Sequence, residues 1–303
     1  MPVDTFKTSY NIEHSNRCTT EPRIFEGYDC NSDAGNGIQQ EVVEDDVCLA
    51  MNSTFETVTT SAPGKVILFG EHAVVYGVTA IAAALSDLRI FVEISSIDDE
   101  VIEVQLHDVI VPSTGKSYER RIELSKMKDL FEEYPTTNVL IPMDPCDAIL
   151  TNLRNELMEA PVAAAQGMMA IMYLIGKILP KCFRCVAGEN ELYGGMRFNV
   201  VSKGLPIGAG LGSSAAFSVA LSAALIRLRQ QKQPFSEAEN GDLACSATHI
   251  EGGEDEKEPV TSKSCSSSYV SIPKSLLPII NGWAYAAEVV IHGSPSGLDN
   301  TTR

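Results

Sequence analysis

The sequence predicts a mixed fold in which a meandering sheet is packed with helices. Strand-like runs dominate the first half of the chain, and helical periodicity dominates the second half. A glycine-rich stretch joins one late strand to an alanine-rich helical run. A chain of 303 residues with 44% hydrophobic content is large enough to bury a core. Three runs predict the sheet: Arg89–Ser95, Val101–Leu106 and, more weakly, Lys116–Leu124.

The first ordered residues are predicted near Phe55. Residues 1–55 are rich in polar residues and follow neither a strand nor a helix period, so they are expected to form a disordered tail. Alternation predicts a strand over Phe55–Thr60, a turn at Ala62–Gly64 and a second strand over Lys65–Phe69. A small-residue apolar segment, Ala80–Leu85, follows.

The second half is predicted to supply the helices. Asp147–Leu179 is helical in pattern, and Pro161 is a break or the first residue of a new helix. Its apolar part, Val162–Leu179, is interrupted by polar and glycine residues, which favours a buried helix over a membrane span. Residues 230–271 are polar and acidic, and are expected to form a flexible insertion. The remaining elements are a strand at Met196–Val201 and helices at Ser213–Arg229 and Leu276–Val290.

Charge and cysteine usage exclude several classes of protein. The formal net charge of −17 argues against nucleic acid or an anionic membrane as a partner. The first ten residues do not form a signal peptide, so a reducing compartment is expected. Eight irregularly spaced cysteines fit free thiols. The close pair Cys182 and Cys185 lacks the further ligands that zinc needs.

The most specific motif is the glycine-rich stretch Leu205–Ala216. Three glycines in five positions let backbone N–H groups turn toward an anion, and the following helix adds its positive dipole end. The stretch lacks the Gly-Lys-Ser/Thr of a P-loop and the spacing of a dinucleotide fingerprint. A plain strand-to-helix turn remains the alternative. The predicted phosphate contacts are Gly208, Ala209, Gly210, Leu211, Gly212, Ser213 and Ser214.

Four other side chains supply the remaining parts of a phosphoryl-transfer site. Ser214 is either a magnesium ligand or a helix cap. Glu288, among small neighbours, is either a partly buried metal ligand or a solvated surface residue. Asp299 is either a proton acceptor or a turn residue, and Lys65 is either its charge partner or a lysine at the strand's rim.

Three segments resemble motifs of the GHMP kinases, and of the mevalonate kinases among them. These segments are Ser61–Gly77, Pro206–Ala216 and Glu288–Asn300, and they occur in the family's order. The resemblance implies an α+β fold, with residues 56–303 forming the amino-terminal, ATP-binding domain and the second domain largely missing. It implies phosphorylation of mevalonate by ATP with Mg²⁺ in isoprenoid and sterol synthesis, by a cytoplasmic protein that is a homodimer in its full-length form.

The resemblance also assigns roles to residues of this chain. Asp299 and Lys65 are catalytic, Ser214 and Glu288 bind the metal, and Glu71 and His72 border the mevalonate pocket together with Asp299. Phe217 stands where animal members commonly have tyrosine, and the family's third glycine-rich motif is missing. Two alternatives stay open: a nucleotide-binding or regulatory fragment without turnover, and another small-molecule kinase of the superfamily.

Overall fold

A computed structural model describes residues 54–70, 79–131, 133–134, 138–179, 194–232 and 272–295. The predicted disordered tail lies outside these residues except for its last two positions, 54 and 55, and nearly all of the predicted insertion also lies outside them. The strands are β1 (Val58–Phe69), β2 (Ile81–Ile97), β3 (Val101–Ile110), β4 (Ser117–Glu123) and β5 (Gly195–Lys203). The helices are α1 (Leu124–Phe131), α2 (Asp147–Glu156), α3 (Val162–Ile178), α4 (Ser213–Lys232) and α5 (Leu277–His292), and a 3-10 turn, Lys274–Leu276, precedes α5.

The five strands form one mixed sheet in the order β1-β2-β5-β3-β4. Strand β5 is antiparallel to β2 and parallel to β3, and the outer pairs are antiparallel. The prediction of a mixed sheet packed with helices is therefore confirmed. The simple meander is wrong, because β5 enters the sheet between β2 and β3 after a long crossover, which a parallel pair requires.

The first two predicted strands are one strand, β1. Its pairing with β2 shifts register between Pro63 and Gly64, where the sequence predicted a turn. A shift in register bends a strand without ending it, so the Pro-Gly pair breaks the ladder locally. The segment Ala80–Leu85 likewise belongs to β2, except for Ala80 itself. Helix α1, which the sequence analysis missed, begins directly where β4 ends.

The helices pack on one face of the sheet. Strand residues that point to that face are buried and apolar, as in Val92, Phe198 and Val104, whereas the opposite face carries charged residues such as Glu103 and Arg197. Helix α3 is buried from Met168 to its end at Ile178, which confirms the predicted core helix. Among the described residues, no helix has the length and apolar character needed to cross a membrane.

Helices α4 and α5 contact each other and α3, and α4 also contacts β1 and β2. Alanines on α4 allow this close packing. The Thr60 hydroxyl of β1 donates a hydrogen bond to the Ala220 carbonyl of α4, with 2.6 Å between the oxygens. These contacts place the beginning of α4 beside β1 and the end of α5.

Candidate functional site

The glycine loop, Pro206–Gly212, connects the end of β5 to the first turn of α4. Gly208, Gly210 and Gly212 have φ angles of 76°, 76° and 66°, which residues with a side chain rarely adopt. A Cβ at Gly208 or Gly210 would meet no atom within 4 Å, so the backbone angle, and not crowding, requires glycine there. The loop is thus an exposed curve of backbone at a helix N-terminus, which is the geometry of an anion site.

Strand β1 lies against the glycine loop and is hydrogen-bonded to it. The Lys65 backbone N–H donates to the Leu211 carbonyl at 2.9 Å. Next to it, a Cβ on Gly64 would lie 2.5 Å from Leu205 Cδ1 and 3.3 Å from Leu211 O. The loop can approach β1 this closely only because position 64 has no side chain.

Lys65 itself lies inside β1 and is only 5% exposed. The sequence analysis placed it at the start of a strand, either as the charge partner of Asp299 or with its amine at the rim. The predicted strand start is wrong, because β1 is continuous through the Pro-Gly pair. The lysine instead belongs to the strand segment that holds the glycine loop.

Four polar side chains meet where α4 begins and α5 ends. The His292 Nε2 lies 3.0 Å from the Ser214 hydroxyl and 4.0 Å from Oε2 of Glu288. The Ser218 hydroxyl donates to Oε1 of Glu288 at 3.1 Å. Ser214 and Ser218 are one turn apart on α4, and Glu288 and His292 are one turn apart on α5. The two helices therefore present matching polar pairs across their contact.

Glu288 is 3% exposed, as expected from its small neighbours on α5. A carboxylate loses much hydration energy on burial, so it needs hydrogen bonds or positive charge close to it. Ser218 supplies one such hydrogen bond. The expectation of a solvated surface glutamate is therefore wrong for this residue.

A cavity of about 240 Å³ opens beside the glycine loop and the first turn of α4. Its wall is mainly apolar, and its polar side chains include Ser213, Ser214 and His292. Such a combination is typical of sites that bind small molecules. The apolar wall includes Ile90, Leu106, Val109, Val200, Ile207, Phe217 and Ile291.

The donor set fits a hard divalent cation. A hydroxyl and a buried carboxylate both offer oxygen, which Mg²⁺ prefers, and Mg²⁺ commonly takes only one or two protein ligands beside phosphate and water. Within the described ranges, no group of three or more histidine, cysteine, aspartate or glutamate residues is placed to hold a metal. Ser214 and Glu288 fit a cation that shares its coordination with a bound phosphate.

The structure brings together several of the predicted site residues. Ser214 follows the glycine loop at the start of α4, and His292 lies close to both Ser214 and Glu288. Lys65 contacts the loop through its backbone. Asp299, Glu71 and His72 lie outside the described residues.

The sequence analysis missed His292, Ser218 and the apolar cavity. The available signal was spacing, since His292 follows Glu288 by four residues and Ser218 follows Ser214 by four. That spacing shows which residues share a face of one helix. It does not show which two helices pack together, so the cluster could not be seen.

Comparison with known proteins confirms the resemblance to the GHMP kinases. Residues 175–256 match the family model described as the GHMP kinases N terminal domain. The curated relatives include the mevalonate kinase of Arabidopsis thaliana, which is 30% identical over 256 residues covering 80% of this chain and 54% of that protein. The mevalonate kinase of Homo sapiens is 30% identical over 246 residues, covering 81% of this chain and 51% of that protein.

Among solved structures, the chain is similar to the mevalonate kinase of Methanococcus jannaschii, at 21% identity and a TM-score of 0.42. That match covers 82% of this chain and 50% of the other. The chain spans about half the length of the curated relatives that it matches.

Proposed function

We propose that this chain carries the ATP-binding part of a mevalonate kinase, which transfers the γ-phosphate of ATP to the 5-hydroxyl of mevalonate. One observation carries the proposal: the glycine loop opens at the head of α4 onto the same space as Ser214 and an apolar cavity. A site for a nucleoside triphosphate combines three features: a loop that binds phosphate, an oxygen ligand for the metal and a pocket for the planar base. The motif matches and the curated relatives support mevalonate as the acceptor.

Each part of the site has a distinct task in this proposal. Backbone N–H groups of the glycine loop and of the first turn of α4 bind the phosphates, and the apolar cavity receives the base. The Lys65 backbone keeps the loop against β1. Its side chain supplies positive charge to the phosphates and to Asp299.

The proposed metal ligands are Ser214 and Glu288. A Mg²⁺ ion held by these two residues would supply positive charge that neutralises the negative charge developing during transfer. Burial of Glu288 strengthens its interaction with a cation, because less water screens the charges.

The proposed contacts with mevalonate are supported by the sequence motifs alone. Asp299 accepts the proton of the mevalonate hydroxyl, and Glu71 and His72 border the bound mevalonate. We also propose that the whole protein is a cytoplasmic homodimer of the isoprenoid and sterol pathway, as the resemblance implies.

A turnover assay tests the reaction. Because the chain spans about half the length of its curated relatives, the assay uses the whole protein. ATP and Mg²⁺ are given to it with mevalonate, homoserine or galactose, and ADP release is followed. Release that depends on mevalonate alone, and that Asp299→Asn lowers by orders of magnitude, is the expected result, because an amide cannot accept the hydroxyl proton. Release with another acceptor would assign the chain to a different kinase of the superfamily.

A binding assay tests the cradle separately. Gly210→Val should weaken ATP binding sharply, because a branched side chain disfavours the required φ of 76° and blocks the approach of phosphate. Gly115→Val is a matched control, since Gly115 also has a positive φ of 65° and open space around it but lies in the β3–β4 turn. Equal ATP affinity in the two variants would refute the cradle. Normal ATP binding without ADP release for any acceptor would favour the nucleotide-binding, regulatory alternative.

A further inference from the structure

We propose that His292 is a positioning residue for the divalent cation, because it holds the Ser214 hydroxyl beside the Glu288 carboxylate. The inference rests on the proposed function, which assigns roles to Ser214 and Glu288 and none to His292. It predicts that His292 affects the binding of the cation more than the binding of the nucleotide.

The imidazole lies between the two proposed ligands. Its Nε2 is 3.0 Å from Oγ of Ser214 on α4 and 4.0 Å from Oε2 of Glu288 on its own helix. This one ring nitrogen therefore lies close to two side chains, Ser214 and Glu288, that are 74 positions apart in the sequence. The other carboxylate oxygen of Glu288 accepts the hydrogen bond from Ser218.

A serine needs such a partner to act as a reproducible ligand. Its side chain has three staggered positions, and its O–H rotates freely, so an unrestrained hydroxyl presents its lone pairs in many directions. The bond to His292 selects one of these positions. When the oxygen gives a lone pair to a cation, its proton needs an acceptor, and Nε2 can accept it if the ring carries its own proton on Nδ1.

The position of His292 in the site agrees with this role. It is the last residue of α5, its side chain is about half exposed, and it lines the cavity with Ser213 and Ser214. Groups that orient a metal ligand commonly change metal affinity by about 10-fold to 100-fold when they are removed. An effect of that size is expected for His292.

The first test is a titration of the 303-residue chain with ADP and Mg²⁺ by calorimetry. His292→Leu should raise the Mg²⁺ concentration needed for half-maximal enhancement of ADP binding by about 10-fold to 100-fold. Its ADP affinity in EDTA should fall by a much smaller factor, because His292 is only one of the residues that line the cavity. His292→Gln should recover most of the loss, because a glutamine amide reaches the place of Nε2. His107→Leu is the matched control, since His107 is exposed and its neighbours, but not His107, line the cavity.

The second test needs no ligand. A double-mutant cycle with His292→Leu and Ser214→Ala, measured by urea unfolding, should show that the two changes are not additive. Additive changes would overturn the contact on which the proposal stands.

The outcomes separate this proposal from the proposed function. If the unmodified chain binds no ADP, the proposed function and the role of His292 both fail. If the unmodified chain binds ADP but His292→Leu needs no more Mg²⁺ than the unmodified chain, the role of His292 fails while the cradle stands. The same conclusion follows if His292→Leu loses ADP affinity in EDTA by as large a factor as it loses Mg²⁺ affinity.

Discussion

Replacing Gly64 by alanine should separate β1 from the glycine loop. The added Cβ would lie 2.5 Å from Leu205 Cδ1, whereas carbon atoms prefer about 3.5–4.0 Å, so at least about 1 Å of space must be opened. Leu205 is 1% exposed and cannot turn into solvent. On the other side, the Leu211 carbonyl is 3.3 Å from the same Cβ and is held by the Lys65 N–H.

The size of the effect follows from overpacking. Inserting one methyl group into a packed site costs about 1–3 kcal/mol of the free energy of unfolding. In a domain of about 150–250 residues, each kcal/mol lowers Tm by about 2–4 °C, so Gly64→Ala should lower Tm by about 2–12 °C. ATP binding should weaken as well, because the shifted strand carries the backbone N–H that holds the loop.

Tryptophan fluorescence during urea unfolding measures the stability directly. Trp283 is the single tryptophan of the chain, is fully buried, and donates its indole N–H to the Val139 carbonyl at 2.7 Å. Gly167→Ala in α3 is the control, because its Cβ would meet Leu106 at 3.3 Å, which needs a much smaller shift than the 2.5 Å contact at Gly64, and alanine favours a helix by about 0.5–1 kcal/mol. The reasoning is refuted if Gly64→Ala is as stable as Gly167→Ala.

Three further predictions concern the metal, the outer face of the sheet and the tail. Ser214→Ala and Glu288→Gln should each lower kcat/KM strongly. The double variant should lose less transition-state stabilisation than the sum of the two single losses, because both residues serve one ion. Full additivity would argue against a shared cation. Arg197 Nε donates a hydrogen bond to Glu103 at 2.7 Å, and this bond lowers the pKa of Glu103 in the folded protein. The interaction therefore stabilises the fold above about pH 4.3, and this stabilisation is lost as the pH falls through the folded pKa of Glu103. The difference in unfolding free energy between the unmodified chain and Glu103→Gln should accordingly be constant near neutral pH and shrink in acid, and a difference that grows in acid would contradict this assignment. Deleting residues 1–50 should leave Tm nearly unchanged, because a segment without apolar periodicity buries little surface, and a large drop in a thermal melt would show that the segment packs on the domain.

Local pattern predicted most of the elements but not their order in the sheet. Alternation over Val101–Leu106 and the helical period of Ser213–Arg229 each describe contacts along one segment, and both elements are found. The insertion of β5 between β2 and β3 depends on how the crossover packs, which no single segment encodes. The turn predicted at the Pro-Gly pair in β1 is wrong for a similar reason, because pairing with β2 and packing against Leu205 override its turn preference.

In the candidate site, too, the sequence predicted the features that depend on one segment and missed those that depend on how segments pack together. The glycine loop was visible because its requirement is local: three alternate positions must adopt positive φ. Ser214 and Glu288 were predicted singly, from a helix start and from small neighbours. His292 and Ser218 become meaningful only when α4 lies against α5, since the four polar groups then share one contact.

The contact between α4 and α5 contains the buried carboxylate of Glu288. The surfaces of α4 and α5 that meet are otherwise lined with alanine and larger apolar residues, so an apolar side chain at position 288 would avoid the cost of burying a carboxylate. Ser218 donates a hydrogen bond to one oxygen of this carboxylate, and Nε2 of His292 lies 4.0 Å from the other. A cation shared with a phosphate on the glycine loop would compensate more, because opposite charges attract strongly where water is excluded. On the proposed function, the same burial would strengthen the interaction of Glu288 with a cation that accompanies the nucleotide.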